Sequence, residues 1–205
     1  MPRPRGAPRH ALRRRRGYPV SRDALEVIRT RRAVRAMTSE PVQRDQLERI
    51  LDAAAHAPNA GNRRLQRLVV IDDAATLRVL RMVSPGMLQR PAAAVVICID
   101  MARAVEYGLP ATNSGLLIDV GTAAQTMLLA AHALGLGSGP VTSFSSAAVS
   151  TVLNLPARWS PEMIVCLGHA AATQPSPVGP HRRLTWRDLT CWGRLDSDAS
   201  TVAGS

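Results

Sequence analysis

Arg31-Arg32-Ala33-Val34-Arg35, followed downstream by the break Ala57-Pro58-Asn59-Ala60-Gly61-Asn62, is the stretch on which the reading of this chain turns. Three guanidiniums in five positions, ending a short amphipathic helix, form a grip for a phosphate and for a second electron-rich group of the same ligand. A guanidinium fork binds phosphate bidentately and stays charged at every accessible pH. Taken alone, such a run also fits a solvated helix end, so its meaning depends on what surrounds it.

Working outward, Asp23 to Thr30 reads as the preceding helix, with Ser21 available as a cap. Downstream, Leu47, Ile50, Leu51, Ala54 and Ala55 recur at helical spacing through Arg44 to His56, and Pro58-Asn59-Ala60-Gly61 ends that helix with turn chemistry. Leu68 to Ile71 reads as a strand, and Asp73 caps a helix running to about Met82. Ala92 to Ile99, apolar throughout and β-branched in its second half, predicts a buried strand ending at Asp100. Met101 to Ser114 reads as a loop or weak helix. Ser145 and Ser146 offer caps for a helix to about Leu153, and Met163 to Gly168 is a further buried strand. Strands and helices mixed without regular βα alternation give an α+β fold.

The segment Leu116 to Leu136 has the length of a membrane span, but Asp119, Gln125 and His132 interrupt it, and it reads as a buried central helix. Its small residues, among them Gly121, Ala123, Ala124, Ala130 and Ala131, suit close packing against another helix or a second subunit. The glycine run Gly135-Leu136-Gly137-Ser138-Gly139-Pro140 reads as that helix's stop. It closes a helix instead of opening one, which argues against a dinucleotide fingerprint, and Leu136 stands where a nucleophile elbow needs glycine.

The chain of 205 residues, 46% hydrophobic, can bury one sizeable core. Its net charge of +11 suggests a nucleic-acid partner until it is localised: residues 1 to 16 hold seven arginines and no acid, which leaves +4 for the remainder. That arm is interleaved with proline and lacks aromatics for base stacking, so nucleic acid is not the expected partner. No apolar stretch follows it, so it is not read as a secretory signal. There is no lysine anywhere, which excludes Schiff-base chemistry and a Walker lysine. Cys98, Cys166 and Cys191 lack metal-ligand spacing, as do the five histidines, so no metal is expected. Two of the cysteines lie in apolar runs, which fits core thiols in a reducing cytoplasm.

Taken in order, Arg31 to Arg35, Ala57 to Asn62, the helix from Asp119 through Leu134-Gly135-Leu136-Gly137 and the terminal Arg182-Arg183 resemble the FMN-dependent nitroreductase family over roughly residues 22 to 193. The resemblance implies a nitroreductase-like fold with a central, mainly antiparallel sheet flanked by helices in an intertwined homodimer. It sets residues 1–21 apart as a disordered basic arm and 194–205 as a flexible tail. It implies two FMN sites, each lined by both subunits. Carried over by position, Arg31, Arg32 and Ala33 with Arg182 or Arg183 would meet the FMN phosphate, and Arg35 the pyrimidine edge of the ring. Asn59, Ala60 and Asn62 would approach from the neighbouring subunit, with Pro140, Val141, Thr142 and Ser143 beside the ring.

Within that family, Ser84 to Leu88, Leu128 to Gly137, Pro140-Val141 and Ser143-Phe144 look like the large subunit of cyclodipeptide oxidases. That likeness implies FMN-dependent dehydrogenation of a small cyclic dipeptide with oxygen as acceptor, together with a small partner subunit. NAD(P)H-driven reduction of nitro compounds or quinones is the alternative. A polyanion-binding protein using its arm and a flavin binder without turnover stay open as other classes. Three positions depart from the family pattern: Ala33 replaces a frequent serine, Arg63-Arg64-Leu65-Gln66 replaces a Gln-Pro-Trp-like run, and Thr142-Ser143 replaces a Glu-Gly pair. Loss of the serine hydroxyl removes one hydrogen bond of about 1–2 kcal/mol. No side chain stands out as a general acid or base, and the substrate is expected to be a small molecule.

Overall fold

The computed structural model describes residues 23–110, 113–176 and 184–194. Contacts divide the chain into one unit up to Gln174 and another from Pro175. In the first unit the elements run α1 (Ala24–Thr30), α2 (Arg44–Ala55), β1 (Gln66–Ile71), α3 (Ala74–Met82), β2 (Ala93–Asp100), α4 (Met101–Glu106), α5 (Ser114–Ala133), β3 (Gly137–Val141), α6 (Ser146–Val152) and β4 (Trp159–Gly168). The strands form one antiparallel sheet in the order β1-β2-β4-β3. The α+β expectation is met.

β2 occupies an interior position and every one of its residues is buried. Because side chains alternate across a strand, Val95, Ile97 and Ile99 enter a core with Leu47, Ile50, Val120 and Met127 from α2 and α5. Ala94, Val96 and Cys98 enter a second core with Leu77, Leu80 and Val149 from α3 and α6. The continuous apolar run of β2 thus follows from having helices on both faces.

Asp73 and Ser145 cap α3 and α6 as expected, their side chains accepting from Thr76 N and Ala148 N. Asp100 does the same for α4 through Arg103 N, and its buried carboxylate also takes the Arg158 guanidinium. β4 starts earlier than its apolar run suggests, because Pro161 is carried at an irregularity in the β2 register, beyond the end of β3.

The glycine run needs correction. Gly135, at φ 79°, does stop α5: its N–H donates to His132 O, and Leu136 N donates to Ala131 O. From Gly137 onward, however, the chain is a strand, and the turn-like composition of Gly137-Ser138-Gly139-Pro140 concealed it. A second correction concerns the arginines. α1 ends at Thr30, and Arg31 to Arg35 is an extended segment after the helix, with an Ala33–Ser138 bridge to β3.

The second unit contains a 3-10 turn, Trp186–Leu189, closed by a reciprocal Thr185–Asp188 capping box. Ser21, the basic arm and Arg182-Arg183 lie outside the described residues.

Candidate functional site

The extended arginine segment lies along the edge of β3. Val34 N donates to Ser138 O at 2.9 Å, and the close approach explains the glycines opposite. A Cβ on Gly137 would stand 2.9 Å from both Val34 methyls, and one on Gly139 would stand 3.2 Å from Val34 O. Buried Gln89 donates from Nε2 to the same carbonyl at 3.3 Å. On its other side, Gln174 Oε1 accepts from Arg35 N and Ala36 N, both at 3.0 Å, while its Nε2 donates to Ala36 O and Ala171 O. Backbone position is therefore fixed at both ends of Val34–Ala36.

The three arginines then have different surroundings. Arg32 turns back, its Nη1 donating to Arg29 O and Arg31 O at 2.9 Å, and so satisfies the C-terminal carbonyls of α1. Arg31 has a buried Nη1 without a hydrogen-bond partner among the described residues. Arg35 is half-buried and has no acid partner among the described residues. A buried cationic donor left unmatched costs free energy until an acceptor reaches it.

β3 delivers Pro140 and Val141 from this edge into the exposed Thr142 and Ser143. That exit is pinned by the loop Ser84–Gln89: Gly86 N donates to Ser143 O at 2.9 Å, and Ser145 N to Val83 O at 3.0 Å. The arginine segment, Gln89 and Pro140 to Ser143 thus form one assembly.

Asn59 to Asn62 form another. A 3-10 turn, Ala60–Asn62, sits on α5, where Ala60 N donates to Asp119 Oδ1 at 2.9 Å and Thr122 Oγ1 donates to Pro58 O at 2.8 Å. Asn59 Oδ1 accepts from Arg64 N and Asn62 Oδ1 from Arg64 Nε, and neither amide NH₂ group donates a hydrogen bond among the described residues. The loop bounds a cleft of about 400 Å³ with His56, Pro58 and Arg64. It is anchored at Asp119, whereas Thr30, next to Arg31, lies 2.9 Å from His132 on the same helix. Thirteen residues of helix separate those anchors, or about 20 Å at ~1.5 Å per residue. One chain does not bring the two assemblies together.

A model of the nitroreductase family matches residues 28–102 and 89–169. The chain belongs to the nitroreductase family. Its relatives include the 5,6-dimethylbenzimidazole synthase of Rhodospirillum rubrum, 29% identical over 82% of this chain and 92% of that protein. The NADH dehydrogenase of Thermus thermophilus is 28% identical over 83% and 96%, and an FMN reductase [NAD(P)H] of Bacillus subtilis 24% identical over 73% and 66%. Among solved structures, a nitroreductase family protein from Clostridium difficile superposes with a TM-score of 0.71 at 26% identity, covering 83% of this chain and 98% of that one.

Sequence reasoning missed three residues that hold these two assemblies in place. Asp119 left a signal, a lone acid in an apolar helix, but was read only as an interruption of that helix. Gln89 and Gln174 left none, since their roles come from contacts across 55 and 139 positions of chain. Two other groups are disqualified as nucleophiles. Burial pushes the Cys98 thiol up to about 11, with Glu162 adding to the effect, and burial pushes Cys166 up to about 12.

Proposed function

We propose that this chain is an FMN-dependent oxidoreductase that draws hydride from NAD(P)H and delivers it to a small electron-poor acceptor such as a nitro compound or quinone. The unmatched, buried Nη1 of Arg31 carries the reading: it is a cationic donor held on the β3 edge with no acceptor among the described residues, the feature a phosphate would complete. The FMN reductase [NAD(P)H] and NADH dehydrogenase relatives supply the electron donor.

In this reading Arg31, with Arg182 or Arg183, holds the phosphate, and Arg35 faces the pyrimidine edge, where fixed positive charge favours the reduced ring. Arg32 and Ala33 shape the segment without gripping the ligand, Arg32 by closing α1. Pro140 to Ser143 present backbone to the ring. FMN supplies the hydride chemistry; the protein supplies position, charge and exclusion of water.

A second copy of the chain supplies Asn59, Ala60 and Asn62 to each site. The separation of the two assemblies within one chain supports that arrangement, as does the exposed apolar surface of Leu25 and Ile28 on α1 and Leu117 and Ile118 on α5. In this reading the dimer works in a reducing cytoplasm, which fits the free, buried thiols of Cys98 and Cys166.

The test is anaerobic. Protein reconstituted with FMN and desalted should retain a flavin absorption band, lose it on addition of NADH or NADPH, and recover it with a nitroaromatic or quinone. A band bleached by a cyclic dipeptide and not by NAD(P)H would install cyclic-dipeptide dehydrogenation instead. Formation of 5,6-dimethylbenzimidazole would align the chain with its R. rubrum relative. No retained flavin would refute the reading.

A further inference from the structure

A separate cleft of about 780 Å³ lies on the α3 side of the molecule, between that helix, the segment Met37 to Pro41 and the approach to β2 at Arg90 to Ala92. Its volume is in the range of sites for small organic ligands. Met37, Leu77 and Pro91 give it an apolar lining, and Arg78, Arg81 and Arg90 surround that lining with guanidiniums. Asp72 is the lone acid among the lining residues.

None of the three guanidiniums has a hydrogen bond or ion pair among the described residues. α2 shows the contrast: there Arg44 is balanced by Glu48 one turn on, at 3.1 Å. α3 contains no acid at all, and Asp73, at its start, is engaged as the cap. Arg78 and Arg81, three positions apart, share one helix face and repel each other. An excess of one charge around a cleft with apolar walls focuses the field on whatever enters it. An anionic head satisfies the guanidiniums, and an apolar body satisfies the lining.

We infer that this cleft is a second ligand site, for a small amphipathic acid: an apolar body headed by a carboxylate or a phosphate ester. It shares no lining residue with the arginine segment, the Asn59 loop or Pro140 to Ser143, so it does not depend on the flavin reading.

The probe is 8-anilinonaphthalene-1-sulfonate, titrated by fluorescence into the full-length protein after FMN reconstitution. Decanoate, hexyl phosphate and inorganic phosphate are then added as competitors. Two variants accompany the wild type: Arg78→Gln/Arg81→Gln, which removes charge, and Ala74→Trp, which adds bulk to the cleft lining. The expected result is saturable binding weakened about tenfold or more in both variants, with flavin absorbance and circular dichroism as in wild type. Decanoate or hexyl phosphate should displace the dye, and whichever acts at lower concentration identifies the head group. Equal binding in wild type and both variants would overturn the inference. Displacement by inorganic phosphate as effective as by the amphiphiles would also overturn it, reducing the cleft to a patch of charge.

Discussion

Adding one methyl group at Gly137 should loosen the arginine segment from the sheet. The backbone there accepts a side chain, since its φ is not in the left-handed region, but the new Cβ would meet Val34 Cγ1 and Cγ2 at 2.9 Å and Val34 Cβ at 3.0 Å. Rotating Val34 moves its methyls and leaves Cβ where it is, so the strain passes to the backbone that carries Arg31 and Arg35. Overpacking of this kind costs about 1–3 kcal/mol, and weakening the Val34–Ser138 hydrogen bond adds about 1 kcal/mol. Reduced freedom of the unfolded chain returns up to about 1 kcal/mol. The net loss is about 2 kcal/mol, a fall in melting temperature of about 4–8 °C for a chain of this size.

Stability alone would not test the site, so FMN affinity is measured on the same samples by fluorescence quenching. A displaced arginine segment should cost tenfold or more in Kd, equivalent to about 1.4 kcal/mol. Val34→Ala removes the two nearest clashing atoms but keeps the Cβ contact, so Gly137→Ala/Val34→Ala should recover part of both losses, giving a non-additive cycle. A Gly137→Ala protein that melts and binds FMN like wild type, or a double variant that shows the plain sum of the two single effects, would refute a clash between Gly137 and Val34.

Arg31→Met should lower FMN affinity by roughly ten- to a hundredfold, the worth of a charge-assisted hydrogen bond, yet leave the flavin-free protein as stable as wild type or more so; a lowered melting temperature without flavin would show that Arg31 is structural. Mixed dimers of Arg31→Met and Asp119→Ala chains should hold one FMN per dimer by absorbance, because one site receives both defects and the other receives neither. Two equally impaired sites would mean that each chain builds its own. For Asp100, hydrogen bonding to Arg158 holds the carboxyl below its ordinary value of 3.8. Its stabilising contribution is therefore full above that value and disappears as pH falls through the lowered one; denaturant titrations between pH 6 and about pH 2 should show a flatter acid loss for Asp100→Asn than for wild type. Ellman's reagent should find one fast-reacting thiol, the exposed Cys191, in the folded protein and three after unfolding. Rapid reaction of Cys98 or Cys166 in the folded state would contradict their burial.

What was legible in the sequence was whatever local chemistry decides. Asp73 and Ser145 can be read as caps because an N-cap oxygen needs only the next turn of its own helix. β2 can be read because a strand between two helical layers must be apolar on both faces. Arg31 to Arg35 and the Asn59 break can be read as a pair because charge and turn residues stand out in a chain of moderate hydropathy. β3 was hidden for an equally physical reason. Gly137 and Gly139 are poor strand formers chosen by a neighbour, Val34, more than a hundred positions away, whose backbone must come within contact distance of the sheet. Local propensity and tertiary demand point in opposite directions at those positions, and tertiary demand prevails. Gln89 belongs to the same class, since nothing beside it in sequence marks it as the partner of Val34 O.

α5 connects the buried core to the Asn59 loop. Its buried positions, from Leu116 through Val120, Ala124 and Met127 to Ala131, face the sheet, yet Leu117 and Ile118 on the opposite side are 58% and 63% exposed. A helix apolar all round is stable only when covered all round. It is long and apolar enough to cross a bilayer by length and composition, but it is already committed to the core on one side and carries Asp119, which holds the Asn59 loop. Covering its other side with the same helix of a second copy buries the exposed leucine and isoleucine. In the proposed dimer the same packing would offer a second Asn59 loop to the first copy's arginine segment. In the proposed dimer the apolar character of α5 and the spacing of its two anchors, Asp119 and His132, about 20 Å apart along the helix, have one cause: the helix that completes the core of one subunit would also be the surface through which the other subunit completes the site.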